Sequence, residues 1–302
     1  MSSSDVPERD PGIPSGSSAS VRGAGAPGSS EGGEAAAGEG QSIGAAFRSR
    51  IEAGGAALVP YVCAGYPDRR SSLDLLLAAS DAGADVLELG VPFSDPLADG
   101  PTIQRASFRA LEGGMTVRGA LELLEEFRSV RETPVVLFTY LNPILRFGID
   151  EFLERAVEVG AQGLLITDLP VGGDPELEAT IRSGGLDPIP LASPTTPLER
   201  VERLSQAGRG FLYYISRTGV TGRGSTLSEE LEGELAQVRR RSHLPVAVGF
   251  GIGSPEDVAR VAPWSDGVVV GSALVEALDK EGVEGARSFL DRLVEAAHTS
   301  GR

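Results

Sequence analysis

From Ile43 onward the chain alternates short apolar, often β-branched runs with longer stretches whose apolar residues recur at helical spacing. The runs predict strands at Ala57–Cys63, Asp85–Leu89, Pro134–Thr139, Gly163–Thr167, Asp187–Leu191, Phe211–Ile215, Pro245–Val248 and Gly267–Val270. Helices are predicted near Ser71–Ala82, Thr102–Leu111 with Val117–Val130, Ile149–Val159, Asp174–Ser183, Pro197–Ala207, Ser228–Arg241, Ser254–Val261 and from Ser272 to the end, with an extra helix first, at Ile43–Ala53. Ser254-Pro255-Glu256-Asp257 carries a capping hydroxyl, a proline at the first helical position and acids in the first turn. Ala82-Gly83-Ala84 and Val159-Gly160-Ala161 read as helix C-caps leading into buried strands. Eight strands each followed by a crossover predict an α/β fold, a (β/α)8 TIM barrel, although an open doubly wound sheet uses the same local elements.

Residues 1–42 break this rhythm. Gly, Ser, Ala, Pro and Glu dominate there, with too few large apolar side chains to offset ordering entropy, so a disordered tail is predicted ahead of one barrel domain at 43–298. No apolar run reaches the roughly 20 residues needed to span a bilayer, and no signal-peptide pattern opens the chain. A lone cysteine, Cys63, cannot form an internal disulfide. The expected location is therefore the cytoplasm. A formal net charge of -16 argues against nucleic acid or an anionic membrane as partner.

The candidate chemistry lies in Leu87-Glu88-Leu89-Gly90-Val91-Pro92-Phe93-Ser94-Asp95-Pro96-Leu97-Ala98-Asp99-Gly100-Pro101-Thr102-Ile103-Gln104. Glu88 sits near the end of a strand that reads as buried. If Leu87 and Leu89 face the helices, Glu88 faces the barrel axis, where burial raises a carboxyl pKa into the acid/base range. The alternative is a carboxylate tied to a neighbouring hydroxyl or arginine. Asp99 brings a second acid on the following loop; alone, Asp before Gly is ordinary turn chemistry. Late in the chain, Gly219-Val220-Thr221-Gly222, Gly249-Phe250-Gly251-Ile252-Gly253 and Gly271-Ser272 follow three successive strands, and backbone amides at such loops suit a phosphate.

Absences narrow the mechanism. The two histidines, His243 and His298, cannot build a triad or a multi-histidine metal site, so no metal is expected. The single lysine, Lys280, lies away from any strand end, which removes a Schiff base. Cys63 reads as a small apolar side chain, with no charged neighbour to lower its pKa.

On these residues the chain resembles the tryptophan synthase alpha subunit family from about Phe47 to about Leu293. Tyr140-Leu141-Asn142-Pro143, Pro194-Thr195-Thr196-Pro197, Gly219-Val220-Thr221-Gly222, Gly249-Phe250-Gly251-Ile252 and Val270-Gly271-Ser272-Ala273 add to the Leu87–Gln104 match. The resemblance implies a lyase that cleaves indole-3-glycerol phosphate to indole and glyceraldehyde 3-phosphate by a retro-aldol step. It implies Glu88 as the acid/base and Asp99 as acceptor of the indole N–H. Gly222, Gly251, Gly271 and Ser272 would hold the phosphate, and Tyr61, Phe138, Tyr213 and Phe250 would line the pocket. Loops Phe93–Gly100 and Ser216–Ser228 would be lids, with Thr221 and Asp168 coupling closure to the partner. That partner would be a beta subunit in an alpha2-beta2 complex, the only holder of pyridoxal phosphate, since no cofactor is implied for this chain. Val171-Gly172-Gly173 departs from the family pattern, which more often has proline followed by acids. Two other phosphate-binding barrels fit less well: one needs strand-end lysines, the other an aspartate where Ser216-Arg217-Thr218 stands.

Overall fold

The computed structural model describes residues 42–216, 229–249 and 251–300. The N-terminal tail, the loop glycine Gly222, Thr221 and Phe250 lie outside the described residues. Among the described residues all strands are parallel and form one sheet: β1 (Ala57–Cys63), β2 (Leu87–Gly90), β3 (Val135–Thr139), β4 (Gly163–Ile166), β5 (Asp187–Pro188), β6 (Leu191–Ala192), β7 (Leu212–Ile215), β8 (Val246–Gly249) and β9 (Gly267–Val270). Their order, β5-β4-β3-β2-β1-β9-β8-β7-β6, starts and ends on segments that are successive in the chain. Asp187–Ala192 is thus one strand in two pieces, and through it the sheet closes as a TIM barrel.

Prolines explain the division. On the β4 side the strand donates from Asp187 and Ile189 to Gln162 and Leu164. On the β7 side Pro188 and Pro190 accept from Arg209 and Tyr213 but have no N–H to return.

The helices are α1 (Ile43–Glu52), α2 (Arg69–Ala82), α3 (Pro101–Glu112), α4 (Val117–Arg128), α5 (Leu141–Phe147), α6 (Ile149–Glu158), α7 (Pro175–Ser183), α8 (Leu198–Ala207), α9 (Glu229–Arg241), α10 (Pro255–Val261) and α11 (Ser272–Thr299). Gly83 and Gly160 take the left-handed conformation expected after α2 and α6. Among the described residues no helix is long and apolar enough to cross a membrane. Two helical details differ from the sequence expectation. The short α5 replaces a loop, because Pro143 falls in its first turn, where a missing N–H costs nothing. The last helix is broken at Gly282, whose φ of 68° is non-helical.

Side chains sort by face as strand alternation requires. Val86 joins Ala57, Val59, Val136, Leu165, Ala247 and Val269 inside the barrel, while Leu87 and Leu89 pack outward under the helices. The extra helix α1 closes the N-terminal end with Ile43, Ala46 and Phe47, and Phe47 stacks on Phe211 at 4.9 Å. Strand-start glycines make room for it: a Cβ on Gly163 would lie 2.7 Å from Ile43, and one on Gly267 2.6 Å from Phe47. At the same end the Asp85 carboxylate accepts from Arg50 Nε, the Leu58 amide and His298 Nε2, each at 2.9 Å. This half-buried acid fastens the first and last helices to the rim between β1 and β2.

Candidate active site

The opposite end of the barrel is open to chemistry. Glu88, on the axial face of β2, is 1% exposed, and its Oε1 has no hydrogen-bond partner among the described residues. Among the described residues no arginine or hydroxyl is hydrogen-bonded to this oxygen. Burial first, and then the charge of Asp99, push its pKa up to about 8. Asp99 stands half-buried on the loop before α3, and burial pushes its pKa up to about 6, opposed by a hydrogen bond from the Tyr140 hydroxyl. The structure therefore brings both predicted acids into one mouth, with pKa values set apart.

The loop between them is held on two sides. Tyr140, at the end of β3, accepts from the Ala98 amide at 3.0 Å and also donates to Asp99, while its ring lies 5.1 Å from that of Phe93. Gln104 on α3 donates to the carbonyls of Pro96 (3.3 Å) and Asp99 (3.0 Å). Neither was singled out in the sequence. Both lie in motifs quoted above, yet a side chain's reach to a loop carbonyl has no sequence signature.

Tyr61 and Tyr213 are buried, and their hydroxyls are kept protonated far above the ordinary range. For Tyr61 the cause is burial, then Cys63, Asp99 and Glu88; for Tyr213 it is burial, then Glu88 and Asp99. Each ring leans over a glycine on the next strand. A Cβ on Gly90 would fall 2.1 Å from the Tyr61 hydroxyl, and one on Gly249 2.4 Å from that of Tyr213. These glycines are therefore needed by the pocket. Phe138 meets Tyr61 edge to face at 5.5 Å. The Cys63 thiol is pushed up to about 12 by burial, which leaves it apolar in character.

At the neighbouring strand ends, Gly251 has a φ of 77°, and Gly271 caps α11 with Ser272 as its first residue. The first amides of this helix have no carbonyl behind them and face outward, a favourable place for an anion. Gly271 approaches the pocket closely, since a Cβ there would be 3.5 Å from Tyr61 Cβ. Asp168 is exposed and accepts from the Leu141 amide at 2.7 Å, which caps α5.

With this geometry in view, comparison with known proteins is decisive. A family model described as tryptophan synthase alpha chain matches residues 47–300. The chain belongs to the tryptophan synthase alpha chain family. As a member it is a lyase of the alpha reaction. It is similar to the tryptophan synthase alpha chain of Geobacillus kaustophilus, 50% identical over 223 residues, which cover 74% of this chain and 83% of the relative. The alpha chain of Synechococcus sp. strain CC9902 is 46% identical over 236 residues, covering 78% and 88%. Among solved structures, the alpha subunit from Legionella pneumophila str. Paris superposes with a TM-score of 0.79 at 37% identity, covering 86% of this chain and 99% of that one. A Mycobacterium tuberculosis tryptophan synthase structure gives 0.78 at 39% identity, with coverage of 86% and 99%.

Proposed function

We propose that Glu88 and Asp99 are the acid/base and electrostatic residues of a retro-aldol cleavage of indole-3-glycerol phosphate. The split between their pKa values carries this reading. Near neutral pH Glu88 holds a proton and Asp99 does not, which matches one acid and one anion. Glu88 donates its proton to C3 of the indole, making the ring an electron sink. Positive charge develops at the indole nitrogen, where the Asp99 carboxylate accepts the N–H and stabilises it. The resulting Glu88 carboxylate takes the proton of the glycerol hydroxyl next to the ring, and the C–C bond breaks to give indole and an aldehyde. Glu88 ends protonated, ready for the next turnover.

Tyr61, Phe138 and Tyr213 wall the indole and glycerol arm, with Phe250 assigned to the same pocket from the sequence. The α11 N-terminus at Gly271 and Ser272, with Gly251 and the loop glycine Gly222, holds the phosphate. Closure of the loops over the mouth excludes water, with Asp168 and Thr221 coupling it to the partner. The indole passes to a beta subunit in an alpha2-beta2 complex in the cytoplasm, where pyridoxal phosphate belongs to the beta subunit. Residues 43–298 form the working domain, and residues 1–42 serve as a tail.

Replacing Glu88 with Gln keeps size and burial but removes the transferable proton. Indole release from indole-3-glycerol phosphate should then fall by at least about 10²-fold, while binding of glycerol 3-phosphate persists. Retained cleavage would reject the assignment.

A further inference from the structure

A cavity of about 420 Å³ lies outside the barrel wall and reaches Asp168 after β4. Its walls are aliphatic: Leu164 and Ile166 of β4, Pro188, Pro190 and Leu191 of the divided strand, Ile181 of α7 and Leu204 of α8. Four charged side chains reach its lining, Asp168, Glu178, Arg182 and Arg200. They are not equivalent. The Asp168 carboxylate is engaged by the Leu141 amide and that of Glu178 by the Gly172 amide. No carboxylate pairs with Arg182 or Arg200 among the described residues, and Arg200 reaches only the Val171 carbonyl at 3.5 Å. Both guanidiniums are exposed at the edge of the apolar lining, where an anionic head can reach them.

The loop above the cavity is Leu169-Pro170-Val171, continuing into Gly172-Gly173. Val171 adds apolar surface, and the glycines bring no acid to compete for the arginines. An apolar enclosure of this volume, with two guanidiniums at its lining that no described carboxylate pairs, suits a small amphipathic ligand.

We propose that this cavity is a second ligand site, specific for an apolar carboxylate whose hydrocarbon body lies against Leu164, Ile181, Pro190 and Leu204 while its head meets Arg182 and Arg200. The guanidinium fork matches a carboxylate, which supplies the selectivity. A neutral ligand of the same body gains the apolar contacts only.

Calorimetric titration of the purified full chain with decanoate and, separately, decan-1-ol tests this. Decanoate should bind saturably and at least about tenfold more tightly than the alcohol. The Arg182→Glu/Arg200→Glu double variant should lose that preference, and Ala207→Phe, which narrows the cavity from α8, should weaken both ligands. Glu88→Gln should leave decanoate binding unchanged, and the arginine variants should release indole at the wild-type rate without decanoate. No saturable binding, equal affinity for acid and alcohol, or decanoate binding indifferent to the arginine and Ala207 changes would overturn the site. Each of these readouts is independent of the catalytic assignment.

Discussion

At the scale of single residues, the protonation of Glu88 connects activity to stability. With Asp99 pushed up to about 6 and Glu88 to about 8, the competent form under the proposed mechanism carries an ionised aspartate and a neutral glutamate. The pH profile of kcat/KM for indole release should therefore rise through about 6 and fall through about 8; a plateau extending to pH 10 would contradict a protonated Glu88. The same burial has a thermodynamic sign. The unfolded chain releases this proton near 4.5, whereas the folded chain holds it to about 8. Across that interval folding must take up a proton, so the residue's contribution to stability declines as pH rises and is level above about 8. Gln has no such penalty. Glu88→Gln should melt higher than the native chain, by on the order of 2 kcal/mol at pH 8 and by little at pH 4.5, which thermal scans at the two pH values would measure. Glu88 was legible because a carboxylate in an apolar strand is anomalous in itself. Tyr140 and Gln104 were not, since both look like ordinary residues until the chain is folded.

At the scale of elements, the loop from Val91 to Gly100 carries Asp99 but contains little to fix it. Tyr140 from β3 and Gln104 from α3 supply the fixing, one from each flank. Tyr140→Phe keeps the ring contact with Phe93 and deletes the hydroxyl's hydrogen bonds with Ala98 and Asp99, along with the one from Thr167. It should lower kcat by about 10–100-fold through misplacement of Asp99, with glycerol 3-phosphate binding little changed; a pure rise in KM would argue against a positioning role. Gln104→Ala should act in the same direction, and a full rate in both variants would mean the loop is held by other means. Most elements were foreseeable from periodicity and caps, and strand boundaries shifted only by a residue or two. What escaped were elements set by local exceptions. Seven residues are too few for α5 to show a helical period, and Pro143 disguises its start. Pro188 and Pro190 look like part of one strand because apolar alternation cannot reveal which ladder lacks donors. Gly282 breaks α11 inside a sequence that otherwise continues helically.

At the scale of the whole molecule, the closed sheet separates two tasks at opposite ends. The proposed chemistry occupies the C-terminal mouth, and α1 seals the other end by inserting Ile43 and Phe47 over strand-start glycines. Closure was implied by counting strands; the plug was not, because glycines at strand starts gain meaning only when the register brings them beneath one helix. The described plug helix starts at the Ser42 cap, whose side chain accepts from the Ala45 amide. Removing residues 1–41 should leave the melting temperature and the rate of indole release within experimental error, since that composition offers no core. Removing the Phe47 ring should behave differently. Phe47→Ala empties a fully buried site stacked on Phe211 and should cost about 3–5 kcal/mol, a melting shift of roughly 10 °C at about 2–4 °C per kcal/mol. Because that loss occurs at the sealed end, the surviving folded fraction at 25 °C should still cleave indole-3-glycerol phosphate with nearly unchanged kcat. A collapse of kcat with little thermal shift would mean that the two ends of the barrel are coupled after all.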